Sequence, residues 1–80
     1  MRDMIRRFMA ENFYVAEQGL ADDASLIGAG VVDSTGVLEV VTFLESTFGF
    51  VVEDAEMLPE NLDSIARIAA FVERKRSAAR

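Results

Sequence analysis

Residues 33–49 read DSTGVLEVVTFLESTFG, an apolar run with helical spacing that opens on an Asp-Ser pair and closes on a glycine. Asp and Ser are preferred at helix N-termini, because their side-chain oxygens accept hydrogen bonds from backbone N–H groups that lack a carbonyl partner. Glycine is favourable just past a helix end. The stretch therefore predicts a helix that begins at Asp33 or Ser34 and ends at Gly49. Its predicted inward residues are Val37, Leu38, Val41, Leu44 and Phe48, and its predicted exposed residues are Glu39, Glu45 and Ser46.

Two further segments show the same spacing of apolar residues. One lies near the N-terminus and ends between residues 13 and 16. The other runs from Ser64 to about Lys75, and the basic residues of its last turn suit the negative end of the helix dipole. The predicted inward residues are Met4, Ile5, Phe8, Met9 and Phe13 in the first helix, and Ile65, Ile68, Ala69 and Val72 in the last.

The connections complete the predicted architecture. A long segment from Glu17 to Val32 joins the first two helices, and its five aliphatic residues favour a loop packed across the core. Residues 50–52, FVV, are predicted to be extended, and residues 58–61 to form one short helical turn, because Pro is tolerated in a first turn. The prediction is an all-α fold. It is a small antiparallel four-helix bundle with three main helices and one short one, forming a single domain of residues 1–80.

Composition excludes several classes of site. The chain has no Cys and no His, so a thiol nucleophile, a zinc–thiolate site and a Ser-His-Asp triad are all excluded within it. Gly28 and Gly30 do not form a dinucleotide-binding motif, because the third glycine position of GxGxxG is Asp33. These two glycines are instead expected to permit turns. A calcium loop beginning at Asp22 fails as well, because Ala24 and Leu26 stand where oxygen ligands are needed.

Charge is unevenly distributed along the chain, which carries a formal net charge of −6. Between Arg7 and Arg67 every charged residue is acidic. Such a surface repels nucleic acid and attracts basic protein patches, although it also serves solubility alone. No apolar run reaches the length of a membrane span and no signal peptide is recognisable, so a cytoplasmic protein is expected.

The Asp33-Ser34 pair has a counterpart in Asp63-Ser64, and helix capping explains both pairs equally well. A second interpretation gives one serine a chemical role. A phosphodiester on a serine at a helix start would lie near free N–H groups and the positive end of the dipole. A flexible arm on that phosphate could present a thiol that the chain lacks. Local physics does not choose between these interpretations.

The two stretches DSTGVLEVVTFLESTFGF and VEDAEMLPENLDSIARIAAFVERK resemble acyl carrier proteins, and with the first helix and long loop the resemblance covers nearly the whole chain. It implies that Ser34 receives 4′-phosphopantetheine and that Asp33 is the acidic residue before it. It further implies that Glu39 and Glu45, with Thr35, belong to the surface that meets basic patches on partner enzymes. The pair Asp63-Ser64 matches the start of the final helix, where no prosthetic group is attached.

The implied function is that of a carrier, without catalysis of its own, which holds acyl or aminoacyl intermediates as thioesters. The implied partners are a phosphopantetheinyl transferase, a loading ligase and acyl-transferring enzymes, and the carrier is expected to be a monomer. Thr35-Gly36 departs from many fatty-acid carriers and resembles stand-alone carriers of specialised pathways, including D-alanyl carriers. The alternative is an unmodified acidic module that binds a basic partner.

An apolar cargo could fold back between the second and third helices, although plain core packing explains the same residues. The residues in question are Val41, Leu44, Leu58, Leu62 and Ile65.

Overall fold

The computed structural model describes residues 1–13, 21–28 and 30–78. They form α1 (Arg2–Phe13), α2 (Ser34–Phe48), α3 (Pro59–Leu62) and α4 (Ile65–Ala78), with a 3-10 turn at Asp54–Glu56. The described ranges contain no β-strand, and the all-α prediction is confirmed. None of the helices in these ranges is long and apolar enough to cross a membrane.

The helices pack around α4, which contacts α1, α2 and α3. The end of α1 lies beside the start of α2, since Asn12 and Thr35 line the same surface depression. One turn earlier in α1, the ring of Phe8 stacks on that of Phe43 at 4.2 Å. The two helices therefore run in opposite directions, as the antiparallel prediction requires.

The helix boundaries differ from the predictions by a few residues. The short helix begins at Pro59, one residue later than predicted, and α4 continues three residues beyond Lys75. The 3-10 turn was not predicted. Residues 50–52 belong to no helix or strand, and Gly49 ends α2 with a φ of 75°, a conformation that favours glycine.

Most of the predicted core is confirmed, but two predictions are wrong. Met4 and Leu38 were expected to face inward, and they are 49% and 56% exposed. Val40 and Phe71, which the spacing missed, are buried instead. The predicted inward residues Phe13, Val37 and Phe48 are half-buried. The confirmed inward residues are Ile5, Phe8, Met9, Val41, Leu44, Ile65, Ile68, Ala69 and Val72.

Phenylalanine rings link the helices in one continuous row. Four of the five neighbouring centroid distances are 6.0 to 6.5 Å, within the range of favourable aromatic pairs. The fifth, between Phe8 and Phe43, is shorter at 4.2 Å, and these rings are stacked. The row includes all six phenylalanines of the chain. In spatial order it runs Phe13, Phe8, Phe43, Phe48, Phe50 and Phe71.

The described part of the long first loop, residues 21–28 and 30–33, is anchored to the start of α4. Leu26 is fully buried, and its N–H donates to the carbonyl of Asp63 at 2.7 Å. The Leu26 carbonyl in turn accepts the N–H groups of Val31 and Val32. The predicted packing of the loop across the core is thus confirmed for Leu26 and Val32, whereas Ile27 is 44% exposed. Leu20 and the predicted end of the first helix beyond residue 13 lie outside the described residues.

The carboxylate of Asp63 completes this anchor. Its Oδ2 accepts a hydrogen bond from the Ser25 hydroxyl at 2.7 Å, and its Oδ1 accepts one from the Ile27 N–H at 2.8 Å. These hydrogen bonds lower the pKa of Asp63 below its ordinary value of 3.8, and the bond from Ser25 has the largest effect. Because hydrogen bonds to an ionised carboxylate favour the charged form, this anchor weakens in acid.

We predict that Asp63→Ala lowers the free energy of unfolding by about 1 kcal/mol near neutral pH, because the Ser25 hydroxyl and the Ile27 N–H lose their acceptor. The folded-state pKa lies below 3.8, so the ionised carboxylate stabilises the fold fully above that value. Its contribution is lost as the pH falls through the folded pKa. Urea denaturation over a pH series measures the difference between variant and wild type.

Asp23→Ala is the matched control, since Asp23 is an exposed carboxylate of the same loop. The control is expected to change stability much less than Asp63→Ala. An equal loss in both variants, or a loss at Asp63 that persists unchanged in acid, would contradict the anchor.

Candidate functional site at the start of α2

Asp33 caps α2 from the extended backbone just before it. Its φ is −101° and its ψ is −173°, and its Oδ1 accepts a hydrogen bond from the Gly36 N–H at 2.7 Å. The Asp33 carbonyl accepts the N–H of Val37 at 2.9 Å, which is the first bond of the helix. The predicted helix start is therefore confirmed, and Asp33 is the cap residue.

Ser34 is the first helical residue and follows the cap directly. The first backbone N–H groups of a helix have no carbonyl within the helix, and together with the dipole they favour an anion. Asp33 uses only the N–H of Gly36, and Thr35 beside it is exposed. The residues at this helix start therefore fit a phosphodiester on Ser34, because a phosphate there meets backbone donors at the protein surface.

Gly36 lets the start of α2 approach the end of α1 closely. A Cβ at this position would lie 2.8 Å from Cε1 of Phe13 and 3.2 Å from Cγ1 of Val32. The sequence alone indicated only that glycine weakens the first turns of the helix. The structure shows a compensating reason, which is that a side chain at this point would force the Phe13 ring to shift.

The second Asp-Ser pair is used differently. Ser64 is only 3% exposed, and its hydroxyl accepts a hydrogen bond from the Arg67 N–H at 3.0 Å, which caps α4. Both carboxylate oxygens of Asp63 are engaged by the first loop. In one pair the aspartate is the cap and the serine is the first helical residue, whereas in the other the serine is the cap and is buried. The two pairs are therefore not equivalent.

The two acidic positions predicted on the exposed side of α2 also differ. Glu39 is exposed, as expected. Glu45 is half-buried, and its Oε2 accepts a hydrogen bond from the Val52 N–H at 2.9 Å. Glu45 is therefore less exposed than its predicted place on the outer side of α2 implies, because this carboxylate holds the segment that follows α2. Ser46 is exposed, and its hydroxyl donates to the Thr42 carbonyl.

An open groove of about 990 Å³ lies between α1 and α2. Sequence reasoning missed it, because Met4 and Leu38 were expected in the core and instead line this groove. The residues suggested for an apolar cargo between α2 and α3 are mostly core. Val41, Leu44, Leu62 and Ile65 are buried, and only Leu58 is substantially exposed, at 42%.

The described residues contain no group of three or more acidic side chains placed to hold a metal ion. The predicted site residues that the structure does bring together are Asp33, Ser34 and Thr35, with Glu39 one turn further along α2. Glu45 lies near the other end of the same helix.

Comparison with known proteins gives a consistent result. A family model described as the phosphopantetheine attachment site matches residues 3–72. A D-alanyl carrier protein of Abiotrophia defectiva is 32% identical over 53 residues, which cover 66% of this chain and 67% of the relative. An acyl carrier protein of Thermotoga maritima is 28% identical over 71 residues, which cover 89% of this chain and 85% of the relative.

The solution structure of a holo acyl carrier protein from Nitrosomonas europaea superposes with a TM-score of 0.78. It is 29% identical in sequence, and the match covers 95% of both chains. The similarity thus extends over nearly the whole chain.

We predict that Asp33→Ala lowers the free energy of unfolding by about 1 kcal/mol, because the Gly36 N–H loses its acceptor and α2 loses its cap. Asp33→Asn is the matched control, since the Asn side chain caps a helix about as well while removing the charge. Thermal and urea denaturation compare the three proteins. Equal destabilisation by both substitutions would show that the charge of Asp33, rather than its capping bond, stabilises the helix start.

Proposed function

This chain belongs to the family of carrier proteins that have a phosphopantetheine attachment site, and from that membership we propose that Ser34 is the attachment residue. The observation that supports this choice is the contrast between the two Asp-Ser pairs. Ser34 follows its cap and lies in sequence between the exposed residues Asp33 and Thr35, whereas Ser64 is buried and caps α4 itself.

The protein is an acyl or aminoacyl carrier with a covalently attached 4′-phosphopantetheine. When attached, this group supplies a thiol that holds the cargo as a thioester. Carriers of this family are generally not catalytic, and they interact with synthetases and transferases. We propose that this chain is itself no enzyme and that its residues 1–80 form one carrier domain.

The chain's own contribution is to fix the backbone at the proposed attachment point. The cap bond from Asp33 to Gly36 sets the first turn of α2, and the loop anchor at Asp63 holds the segment that leads into it. Backbone N–H groups of the first turn are available to a phosphate oxygen on Ser34. Tethering then raises the local concentration of cargo at a partner enzyme without a dedicated binding pocket.

The proposed partners are a phosphopantetheinyl transferase, a loading ligase and acyl-transferring enzymes with basic docking patches. Thr35 and Glu39 lie on the exposed surface next to the attachment point and form the proposed docking positions. Glu45 contributes charge to the same helix, but its bond to Val52 gives it a structural role as well.

We predict that wild-type protein gains the mass of the phosphopantetheine arm when it is incubated with coenzyme A and a broad-range transferase. Ser34→Ala is expected to abolish the gain, because the hydroxyl that accepts the arm is missing. Ser64→Ala is the matched control from the second Asp-Ser pair and is expected to retain the gain, despite losing a helix cap worth about 1 kcal/mol. Intact-mass spectrometry measures all three.

Two outcomes count against the proposal. If folded Ser64→Ala lost the mass gain and Ser34→Ala retained it, the arm would be attached to Ser64, and the proposed attachment at Ser34 would be wrong. The absence of a gain in folded wild type with several transferases would favour the alternative function, an unmodified acidic module that binds a basic partner.

We predict that Glu39→Lys slows arm transfer by roughly threefold to tenfold at low ionic strength, because a surface charge at a docking site acts mainly on the association rate. Glu73→Lys is the matched control, since it makes the same charge change at an exposed position of α4. The transfer rate is measured against salt concentration, with circular dichroism as the check on folding. Equal slowing by both variants would indicate a general charge effect rather than docking at α2.

A further inference from the structure

We propose that Ser25 is a positioning residue for the attachment of the phosphopantetheine arm. This inference rests on the proposed function, with Ser34 as the attachment residue, and adds a residue that acts on that site from a distance. Ser25 lies in the first loop, nine positions before Ser34. It acts through the backbone of the loop, which leads directly into Asp33, the cap of α2.

The Ser25 hydroxyl joins the start of α4 to the turn that follows Ser25. It donates to Oδ2 of Asp63 at 2.7 Å, and its oxygen accepts the N–H of Gly28 at 2.9 Å. A serine hydroxyl has one hydrogen to donate, and here that hydrogen goes to a carboxylate, which makes the bond stronger than one between neutral groups. The side chain therefore closes the turn of residues 25–28 and fixes it to α4.

Gly28 is the matching half of this contact. A Cβ at position 28 would lie 2.8 Å from Oγ of Ser25 and 3.3 Å from its Cβ. A larger residue would therefore force the Ser25 hydroxyl out of its present position. The sequence indicated only that Gly28 permits a turn, whereas the structure shows that this glycine leaves the space in which the Ser25 hydroxyl lies.

The turn determines the position of the α2 start through the backbone. The carbonyl of Leu26, inside the turn, accepts the N–H groups of Val31 and Val32 at 2.9 and 3.1 Å. Val32 is only 3% exposed, and the next residue is Asp33, whose side chain and carbonyl cap α2. Because only Asp33 lies between Val32 and the first residue of α2, a change in the turn reaches the beginning of the helix.

Most of the bundle does not depend on Ser25. Two other hydrogen bonds still hold the loop on α4 when the hydroxyl is removed, from the Leu26 N–H to the Asp63 carbonyl and from the Ala66 N–H to the Asp22 carbonyl. Ser25 itself is exposed, so its truncation leaves no cavity in the core. The expected effect is a local loosening that extends to the first turn of α2, while the packing of α4 is retained.

A loosened α2 start lowers the apparent affinity of the transferase for this chain. When an enzyme binds only one of two forms, its apparent dissociation constant is the intrinsic value divided by the population of that form. The bound form is the same in both proteins, so kcat is expected to stay unchanged. Because the lost bonds are of moderate strength, we expect KM for the unmodified chain to rise roughly twofold to fivefold.

Steady-state arm transfer from coenzyme A measures this effect in wild type, Ser25→Ala, Ser25→Thr and Ser77→Ala. Ser25→Ala is expected to raise KM and leave kcat unchanged. Ser25→Thr keeps a hydroxyl at the same position and is expected to restore the wild-type KM. Ser77→Ala is the matched control, because it removes an exposed serine hydroxyl at the far end of α4, and it is expected to leave both constants unchanged.

Native-state amide hydrogen exchange gives a second reading, which a uniform loss of stability would not reproduce. The N–H groups of Val32 and Val37 bond to carbonyls of the turn and of the cap, and in Ser25→Ala they are expected to exchange faster than in wild type. The N–H of Val72, a fully buried residue of α4, is expected to exchange as before.

Gly28→Ala tests the same contact from its other side. The φ of Gly28 is not in the left-handed region, so the added methyl group acts through its clash with the Ser25 hydroxyl and not through backbone strain. This variant is expected to give the same rise in KM and the same local pattern of exchange as Ser25→Ala.

The outcomes separate this inference from the function on which it rests. Unchanged KM and exchange in Ser25→Ala would overturn the inference, as would equal defects in Ser25→Ala and Ser25→Thr. Faster exchange at Val32, Val37 and Val72 alike would show a global loss of stability, and would overturn it too. All these results leave the proposed function intact. Failure of the wild type to gain the arm overturns the proposed function and this inference together.

Discussion

The hydrogen bond from the Leu26 N–H to the Asp63 carbonyl, at 2.7 Å, is the constraint on which the arrangement of the molecule depends. It joins the first loop to the start of α4, far along the chain, and the fully buried Leu26 side chain fixes the loop over the core. The same residue's carbonyl then accepts two N–H groups of the segment that leads to α2. The position of the α2 start is therefore set by a bond made at the start of another helix.

This constraint explains why two similar dipeptides serve different purposes. Asp63 uses its carbonyl and both side-chain oxygens for the loop, so the role of cap passes to Ser64, which becomes buried. Asp33 has no such task and caps α2 itself. The cap position is thus one residue later in the second pair, and only the first pair leaves a serine beyond its cap, as the first residue of a helix. This one-residue difference supports the proposal that Ser34, rather than Ser64, is the attachment residue.

Much of the fold follows from sequence, because apolar spacing, caps and a closing glycine are local signals. The three main helices and the cap at Asp33 were predictable for this reason. The errors lie where a residue's environment depends on distant contacts. Met4 and Leu38 have the spacing of core residues, yet they lie at the edges of their apolar faces, where α1 and α2 leave a groove between them.

Glu45 shows the same limitation for a polar residue. Its spacing predicts exposure, but the turn at Gly49 brings the Val52 N–H back to its carboxylate. Gly36 is a third case. The sequence shows that a glycine there weakens the helix, but it does not show why the position needs a glycine. The ring of Phe13, which makes a larger residue difficult to accommodate there, comes from a helix that precedes it by more than twenty positions. At the level of sequence, the resemblance to carriers was what favoured Ser34 over Ser64 as the attachment residue, because the local physics of the two helix starts is the same.

The row of six phenylalanine rings has a consequence for how the domain unfolds. It passes from α1 through α2 and the following segment to α4. If one of these helices detached, a phenylalanine ring of the adjacent helix or segment would lose its packing partner. A domain of this size has little core to spare, and its helices are too short to persist alone in water. Detaching either end of the row therefore costs buried ring surface, and we expect the bundle to unfold as one cooperative unit instead of losing helices one at a time.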